Sequence, residues 1–199
     1  MNPDCLRLFA AIVVPEPVRA ELAGVQSELG PLVGPRDVRW TPRGQLHLTL
    51  KFLGNIPANS LEAVKQSLAE ACADPRPFPL WAKGIGFFPD ERQPRVIWTG
   101  FEDPANALAG LQARVERSLS PFVQKPGAEK FLPHTTLGRF QKYRRHKTEK
   151  LLLRARAFAG QHFGDWRVEE IALFRSELSP DGARHSPLAF FPFGANLEA

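Results

Sequence analysis

The pattern His-x-Thr-Leu occurs twice in the chain, at His47–Leu50 and at His134–Leu137, each time within an apolar stretch. In an extended strand, side chains two residues apart point to the same face. Each copy therefore presents one imidazole and one hydroxyl side by side, and turns the residue between them to the other face. If both copies serve one site, the fold must bring two distant strands face to face.

The hydrophobic pattern predicts groups of strands interrupted by helices, without a regular βα alternation. Strands are predicted at Leu6–Val14, Val38–Trp40, Leu46–Leu53, Leu80–Phe88, Arg95–Phe101, Lys130–Phe140, Trp166–Leu178 and Ser186–Phe193. Helices are predicted at Val18–Leu29, Ser60–Cys72 and Pro104–Leu119, with a short one at Thr148–Ala157. Within Leu46–Leu53, strict alternation sends Phe52 to the core with the leucines and Lys51 to the face of His47. This order favours an α+β fold with largely antiparallel sheet.

A faint internal repeat organises this pattern, because each half of the sequence holds strands, a long helix and one motif strand. A duplicated pair of lobes would place the two motif strands across a central groove, related by a pseudo-two-fold axis. At 199 residues the chain has the length of one ordinary domain. We therefore expect a single domain over residues 1–199, made of two intimately packed lobes with outer helices.

Two imidazoles and two hydroxyl donors in one groove can carry out acid–base cleavage of a phosphodiester. The alternative is two unrelated histidines that are hydrogen-bonded in a sheet. The other three histidines, His146, His162 and His185, lack the His-x-Thr-Leu pattern, since His162 and His185 have no Thr two residues on and Thr148 after His146 is followed by Glu149. We expect surface or structural roles for these three. No metal-ligand spacing and no G-x-G-x-x-G loop occurs, so neither a metal nor another cofactor is predicted.

The charge and the two cysteines bear on partner and location. The net charge of +5 comes mostly from Arg, whose forked guanidinium suits an anionic substrate. The basic run Lys142–Lys147 is either a solvated loop or a contact for an RNA backbone.

Cys5 and Cys72 lie far apart and outside any ligand pattern, which predicts free thiols and a cytoplasmic location. No apolar run approaches the ~20 residues of a membrane span.

Longer blocks around the two motifs resemble a known family. They are Arg7–Ile12, Arg39–Trp40, Leu46–Gly54, Pro133–Arg139 and Leu173–Leu178. On these residues the chain resembles the 2H phosphoesterase superfamily over nearly its whole length. It is most similar to the RNA 2′,3′-cyclic phosphodiesterase branch, historically called bacterial/archaeal 2′-5′ RNA ligases.

The resemblance implies hydrolysis of RNA 2′,3′-cyclic phosphate ends, or of cyclic nucleotides, to 2′-phosphomonoesters without a metal. It makes His47 the proton donor and His134 the proton acceptor, and it assigns Thr49 and Thr136 to the phosphate oxygens. Arg139 would add a charged donor to the phosphate. The expected protein is a monomer that does not bind membranes.

Two positions of the second motif need a structural answer. Strict alternation puts Arg139 on the face opposite His134, and a bulge at Gly138 would return it. Thr135 stands where the family more often has an apolar residue, so we expect it to face the core and to change packing rather than catalysis. Two other functions stay open: a 2′-5′ ligase or oligonucleotide phosphodiesterase, and a nucleotide- or RNA-binding module with little turnover.

Overall fold

A computed structural model of the chain describes residues 4–123, 130–141, 145–179 and 182–194, with the side chains of 145–147 left out. In these ranges the strands are β1 (Cys5–Val13), β2 (Val38–Trp40), β3 (His47–Pro57), β4 (Phe78–Phe88), β5 (Val96–Glu102), β6 (His134–Phe140), β7 (His162–Val168), β8 (Glu170–Ser179) and β9 (Gly182–Pro192). The α-helices are α1 (Glu16–Leu29), α2 (Leu61–Ala73), α3 (Leu108–Leu119) and α4 (Arg145–Arg156).

The strands form two antiparallel sheets. The first has the order β3-β1-β8-β9 and the second the order β2-β6-β5-β4-β7. Helix α1 packs against β7, while α2 packs against β8 and β9 and α3 against β3. The predicted α+β class with mainly antiparallel sheet and two lobes is thereby confirmed.

The two sheets do not coincide with the two halves of the sequence. In the first sheet, β1 and β3 from the first half are joined by β8 and β9 from the end of the chain. The helices cross over as well. Helix α1, from the first half of the sequence, packs on β7 of the second sheet, and α3, from the second half, packs on β3 of the first sheet. Side chains from both sheets meet in one buried apolar cluster, so the two lobes are interleaved rather than stacked end to end.

Most predicted elements lie within a few residues of the observed ones, and two of the departures have a local cause. The predicted strand Trp166–Leu178 is wrong as one element, because β7 and β8 belong to different sheets and change direction at Glu169. Helix α3 begins at Leu108 rather than Pro104. The side chain of Asp103 accepts hydrogen bonds from the main chain of Ala105 and Leu108, at 3.1 and 2.6 Å, and holds the preceding residues in a turn.

The predicted alternation of β3 is wrong after Thr49. The register with β1 pairs Thr49 with Ala11 and Lys51 with Ala10, which leaves Leu50 as an extra residue. Such a bulge reverses the faces of the residues that follow. Lys51 is consequently buried, in an ion pair with Glu116, whereas the Phe52 side chain is 60% exposed.

The structure also bears on the predictions for the cysteines, for a membrane span and for the basic run. Cys5 and Cys72 are free, as expected, and burial raises the pKa of the Cys72 thiol to about 12. Among the described residues, no helix is long and apolar enough to cross a membrane. The basic run lies outside the described residues at 142–144, and its remainder begins α4, so its interpretation stays a prediction.

Candidate active site

The two motif strands meet at the boundary between the sheets. His47 opens β3 at the edge of the first sheet, and His134 opens β6 between β2 and β5 of the second. The hydroxyl of Thr135 donates a hydrogen bond to the main-chain carbonyl of His47, with 2.7 Å between the oxygens. In each motif the residue between His and Thr is buried, while the His and the Thr keep partial exposure. Each imidazole and its hydroxyl therefore share one accessible face.

Each motif imidazole is held by the main chain two residues before it. His47 Nδ1 lies 2.7 Å from the carbonyl oxygen of Gln45, and His134 Nδ1 lies 2.7 Å from that of Leu132. A carbonyl oxygen only accepts, so both Nδ1 atoms carry the hydrogen and donate it. In the neutral rings, Nε2 then has the lone pair and is free to exchange a proton.

Aromatic rings support each imidazole from behind. The centroid of Phe9 lies 4.8 Å from that of His47, and Phe174 stacks on Phe9 at 5.1 Å. On the other strand, the ring of Phe88 meets His134 edge-on at 4.8 Å. Packing of this kind fixes the plane of a ring, so the directions of the two Nε2 atoms are set by their own lobes.

The environment of His47 disfavours its charged form. The pKa of His47 is lowered to about 4, chiefly by burial. The hydrogen bond to Gln45 opposes this shift, while the neighbouring basic groups His185, His134 and Arg139 add to it. At neutral pH the imidazole of His47 is therefore uncharged in the free protein.

The pKa of His134 is also lowered, first by burial and then by the charge of Arg139. Both imidazoles are therefore neutral at neutral pH in the free protein and can accept a proton, and each gives its proton up readily once it is charged.

A bulge in β6 brings Arg139 to the side of the histidines. The register with β5 leaves Leu137 as an extra residue, and Leu137 and Gly138 are buried in succession. Arg139 then emerges exposed, where its charge lowers the pKa of both motif imidazoles. The bulge that would be needed at Gly138 to return Arg139 is present one residue earlier, at Leu137.

Thr135 faces the core, as predicted, being 1% exposed. Its hydroxyl nevertheless does more than fill space, because it forms the bond between the two motif strands described above. The sequence could not show this, since the acceptor is a main-chain carbonyl 88 residues away.

The structure also places a third histidine at the site. The ring of His185 meets that of His47 edge-on, with 5.3 Å between centroids, and meets Phe9 at 5.0 Å. The expectation of a surface or structural role rested on the missing Thr, which says nothing about contacts made across the sheet. His162, by contrast, lies on β7 against Trp81, away from the motifs.

The fold therefore places one set of side chains at the boundary between the two sheets. They are the predicted His47, His134, Thr49, Thr136 and Arg139, together with His185. In the described part of the chain, no group of three or more His, Cys, Asp or Glu side chains is placed to hold a metal ion. Two imidazoles with free Nε2 atoms can move protons in opposite directions. Hydroxyls and a guanidinium can bind phosphoryl oxygens.

Comparison with known proteins shows the family of the chain. A family model described as LigT like Phosphoesterase matches residues 12–98 and 101–185. A Thermus thermophilus protein named RNA 2′,3′-cyclic phosphodiesterase is 38% identical over 194 residues, which cover 94% of this chain and 89% of that protein. An Aquifex aeolicus protein of the same name is 34% identical over 158 residues, covering 78% and 82%.

Solved structures share the fold. A crystal structure from Thermus thermophilus superposes with a TM-score of 0.79 at 31% identity, covering 95% of this chain and 98% of the other. Escherichia coli LigT superposes with a TM-score of 0.74 at 23% identity, again covering 95% and 98%. The interleaved two-sheet arrangement is thus common to these proteins.

Proposed function

The chain belongs to the LigT-like phosphoesterase family, and from this premise we propose that it hydrolyses RNA 2′,3′-cyclic phosphate ends to 2′-phosphomonoesters. The observation that carries the proposal is the matched pair of imidazoles. Each has Nδ1 fixed on a carbonyl oxygen, and each stands beside a motif hydroxyl. The names of the curated relatives support the same substrate class.

In the proposed reaction, a water attacks phosphorus and gives its proton to Nε2 of His134. The bond between phosphorus and the 3′-oxygen breaks, and Nε2 of His47 gives its proton to that oxygen. The product is a 2′-phosphate. His47 ends neutral and His134 ends protonated, so a proton exchange with solvent restores the starting state.

The lowered pKa of His47 suits the role of proton donor. A charged imidazole with a pKa of about 4 gives its proton readily to a leaving alkoxide. His134, whose pKa is also lowered, is neutral in the free protein and can accept the proton of the attacking water. The negative charge of the bound phosphodiester raises the pKa of His47, so its imidazole takes up a proton from solvent when substrate binds.

The remaining groups act on the charge of the phosphoryl group. Thr49 and Thr136 share the accessible faces of their histidines, and we assign their hydroxyls to the two non-bridging oxygens. Arg139 adds a guanidinium on the same side. Donors that are already in place stabilise negative charge as it develops in the transition state.

The reverse reaction would use a ribose 5′-hydroxyl in place of water and would form a 2′-5′ linkage. Water is in large excess over any RNA end, so we expect hydrolysis to dominate.

The test is incubation with adenosine 2′,3′-cyclic phosphate in excess EDTA, with the product identified by phosphorus NMR. We expect full activity and accumulation of 2′-AMP. Loss of activity that a divalent ion restores would contradict the two-histidine mechanism. A 3′-AMP product would mean that the acid and base roles of His47 and His134 are exchanged. Tight binding without turnover would favour a binding module.

A further inference from the structure

One buried charged side chain has no part in the proposed reaction. Lys51 lies on β3, two residues after Thr49, and its side chain is buried on the side of α3. There its ammonium group forms an ion pair with the carboxylate of Glu116, whose side chain is 34% exposed. A lysine is almost never fully buried unless it is paired, so the position of Lys51 depends on Glu116.

The next residue, Phe52, behaves in the opposite way. Its side chain is 60% exposed, although a phenyl ring gains far more from burial than a lysine does. Strict alternation along β3 would bury Phe52 and would turn Lys51 to the face that carries His47 and Thr49. The bulge at Leu50 exchanges these two side chains, against the preference of the apolar pattern.

Helix α3 contacts the bulge at two points. Nε2 of Gln112 lies 3.5 Å from the main-chain carbonyl oxygen of Leu50, the extra residue. One helical turn later, Glu116 pairs with Lys51, which directly follows. Residues four apart lie on the same face of a helix. One face of α3 thus contacts both the extra residue and the charge that the bulged register buries.

The bulged register acts on the site through two aromatic rings. It sets Phe52 opposite Phe9 in the pairing of β3 with β1, with 5.7 Å between the ring centroids. The centroid of Phe9 lies in turn 4.8 Å from that of His47. Without the extra residue at Leu50, Lys51 would be opposite Phe9, and an ammonium group would replace the Phe52 ring beside the site.

We propose that Glu116 is a positioning residue for the proposed reaction. Its ion pair holds β3 in the register that backs Phe9 and His47 with a phenyl ring and that keeps the Lys51 ammonium away from the phosphate. Glu116 acts through Lys51 and the strand. The kinetic consequence of this inference rests on the proposed function, whereas the register itself is measured without any turnover.

Glu116→Ala removes the partner and leaves a buried ammonium group. An unpaired buried charge is strongly unfavourable, so β3 should adopt the regular register and return Lys51 to the face of Thr49. We expect kcat to fall about 10- to 100-fold, because catalytic groups are displaced. KM should not rise, because the ammonium then lies beside the bound phosphate. A general loosening of the site would raise KM as well.

Lys51→Met separates this role from that of an ion pair that only adds stability. Met fills the buried position without a charge, so it favours the bulged register whether or not Glu116 is present. We expect Lys51→Met to keep kcat within about threefold of the wild-type value, since apolar groups replace buried ion pairs well. The double variant Lys51→Met/Glu116→Ala should regain most of the kcat lost in Glu116→Ala.

Asp74→Ala is the matched control. Asp74 pairs at 2.9 Å with Arg114, which lies on the same helix as Glu116, and both side chains are exposed. The substitution therefore removes an ion pair of α3 that does not involve β3, and it should leave kcat and KM unchanged. If Glu116→Ala does not fold, Glu116→Gln takes its place in the same comparison, because its amide oxygen still accepts from Lys51 but carries no charge.

Nuclear Overhauser contacts across the strands measure the register directly. In the wild-type protein the main-chain protons of Lys51 should contact those of Ala10, and in the Glu116 variant they should contact those of Phe9. Unchanged contacts between Lys51 and Ala10 in that variant would overturn the inference, as would a double variant no more active than the Glu116 variant. If the wild-type protein hydrolyses no cyclic phosphate, the proposed function fails, and these contacts still decide the register.

Discussion

The hydroxyl of Thr135 donates a 2.7 Å hydrogen bond to the main-chain carbonyl of His47 and so joins the two motif strands directly. Thr135 is 1% exposed, so water does not compete for this bond. The second motif strand has another fixed point, because the amide of Gln26 donates to the carbonyl of Leu137 at 2.8 Å. The distance between the two imidazoles is thus controlled by bonds that involve neither ring.

Thr135→Val should test this control. The substitution keeps the branched shape and removes the hydroxyl, which leaves the His47 carbonyl without that partner. We expect kcat to fall about 10-fold with KM within about twofold, because misplacement of catalytic groups acts mainly on the transition state. The free energy of unfolding should fall by about 1–3 kcal/mol.

Thr135→Ser provides the matched control, since it keeps the hydroxyl and loses only a methyl group. Recovery of most of the lost kcat in the Ser variant is the expected result. If Val and Ser were equally active, the hydrogen bond would have a role in packing alone.

Substitution of the motif histidines should cause the largest losses. His47→Ala and His134→Ala should each lower kcat by ~10²–10⁴-fold, the usual contribution of a positioned general acid or base. Thr49→Ala, Thr136→Ala and Arg139→Ala should lose less, because each removes one of several donors to the phosphate. Steady-state kinetics on adenosine 2′,3′-cyclic phosphate measures these differences.

His162→Ala is the control for the motif histidines, since His162 lies on β7 away from them. It should keep nearly full activity. His146, whose side chain the structure does not describe, is predicted from the sequence to be dispensable as well. A variant of either residue as inactive as His47→Ala would contradict the site assignment.

Much of this arrangement could be predicted from the sequence because it depends on local patterns. The period of two in each motif predicts which side chains share a face, and the burial of Leu48 and Thr135 agrees with it. The α+β class follows in the same way from the order of strands and helices. Which strands join which sheet depends on long-range pairing, such as that of β1 with β8. No local pattern encodes such pairing.

The features that the sequence did not predict also depend on contacts between distant parts of the chain. Bulges at Leu50 and Leu137 change which side chains share a face, and the sequence marks only the second, through Gly138. His185 approaches His47 because β9 folds back on β8 within the first sheet. Single residues carry no signal for such contacts, so a third histidine at the site appears only in the structure.

Gly138→Ala should disturb the site through β2 rather than directly. A methyl group at this position would lie 2.8 Å from Val38 Cγ1 and 2.9 Å from Trp40 Cε3. Both side chains belong to the neighbouring strand β2, so either β2 shifts or the bulge that presents Arg139 changes. We expect KM for the cyclic nucleotide to rise several-fold and Tm to fall.

The control for that substitution is Gly44→Ala, since a methyl group there meets nothing within 4 Å. An unchanged KM in Gly138→Ala would mean that the bulge has no part in substrate binding.

Stability should fall as the pH drops from 6.5 to 4. His47, His134 and His185 all have folded-state pKa values below the ordinary 6.5. The unfolded chain therefore takes up protons first, and stability that is fully present above pH 6.5 is lost as the pH falls. For His47, the shift to about 4 corresponds to roughly 3 kcal/mol at ~1.4 kcal/mol per pKa unit.

Urea unfolding at several pH values, compared between the wild-type protein and His47→Asn, measures this contribution. The carboxylates titrate equally in both proteins, so the difference between the two curves isolates the histidine. Parallel curves from pH 7 to pH 4 would contradict the lowered pKa.

The pH dependence of kcat/KM should be bell-shaped, with both limbs below pH 6.5. The active form carries one proton on the pair, and the limbs belong to the pair rather than to either residue. Both limbs lie low because burial lowers the pKa of each imidazole in the free protein. The limbs of kcat should lie at higher pH, since the negative charge of bound substrate raises both pKa values. Proton NMR of the His47 ring should show the same change, from a midpoint of about 4 to a higher one when 2′-AMP is added. A basic limb of kcat/KM well above pH 7 would mean that neither imidazole supplies the proton to the leaving oxygen.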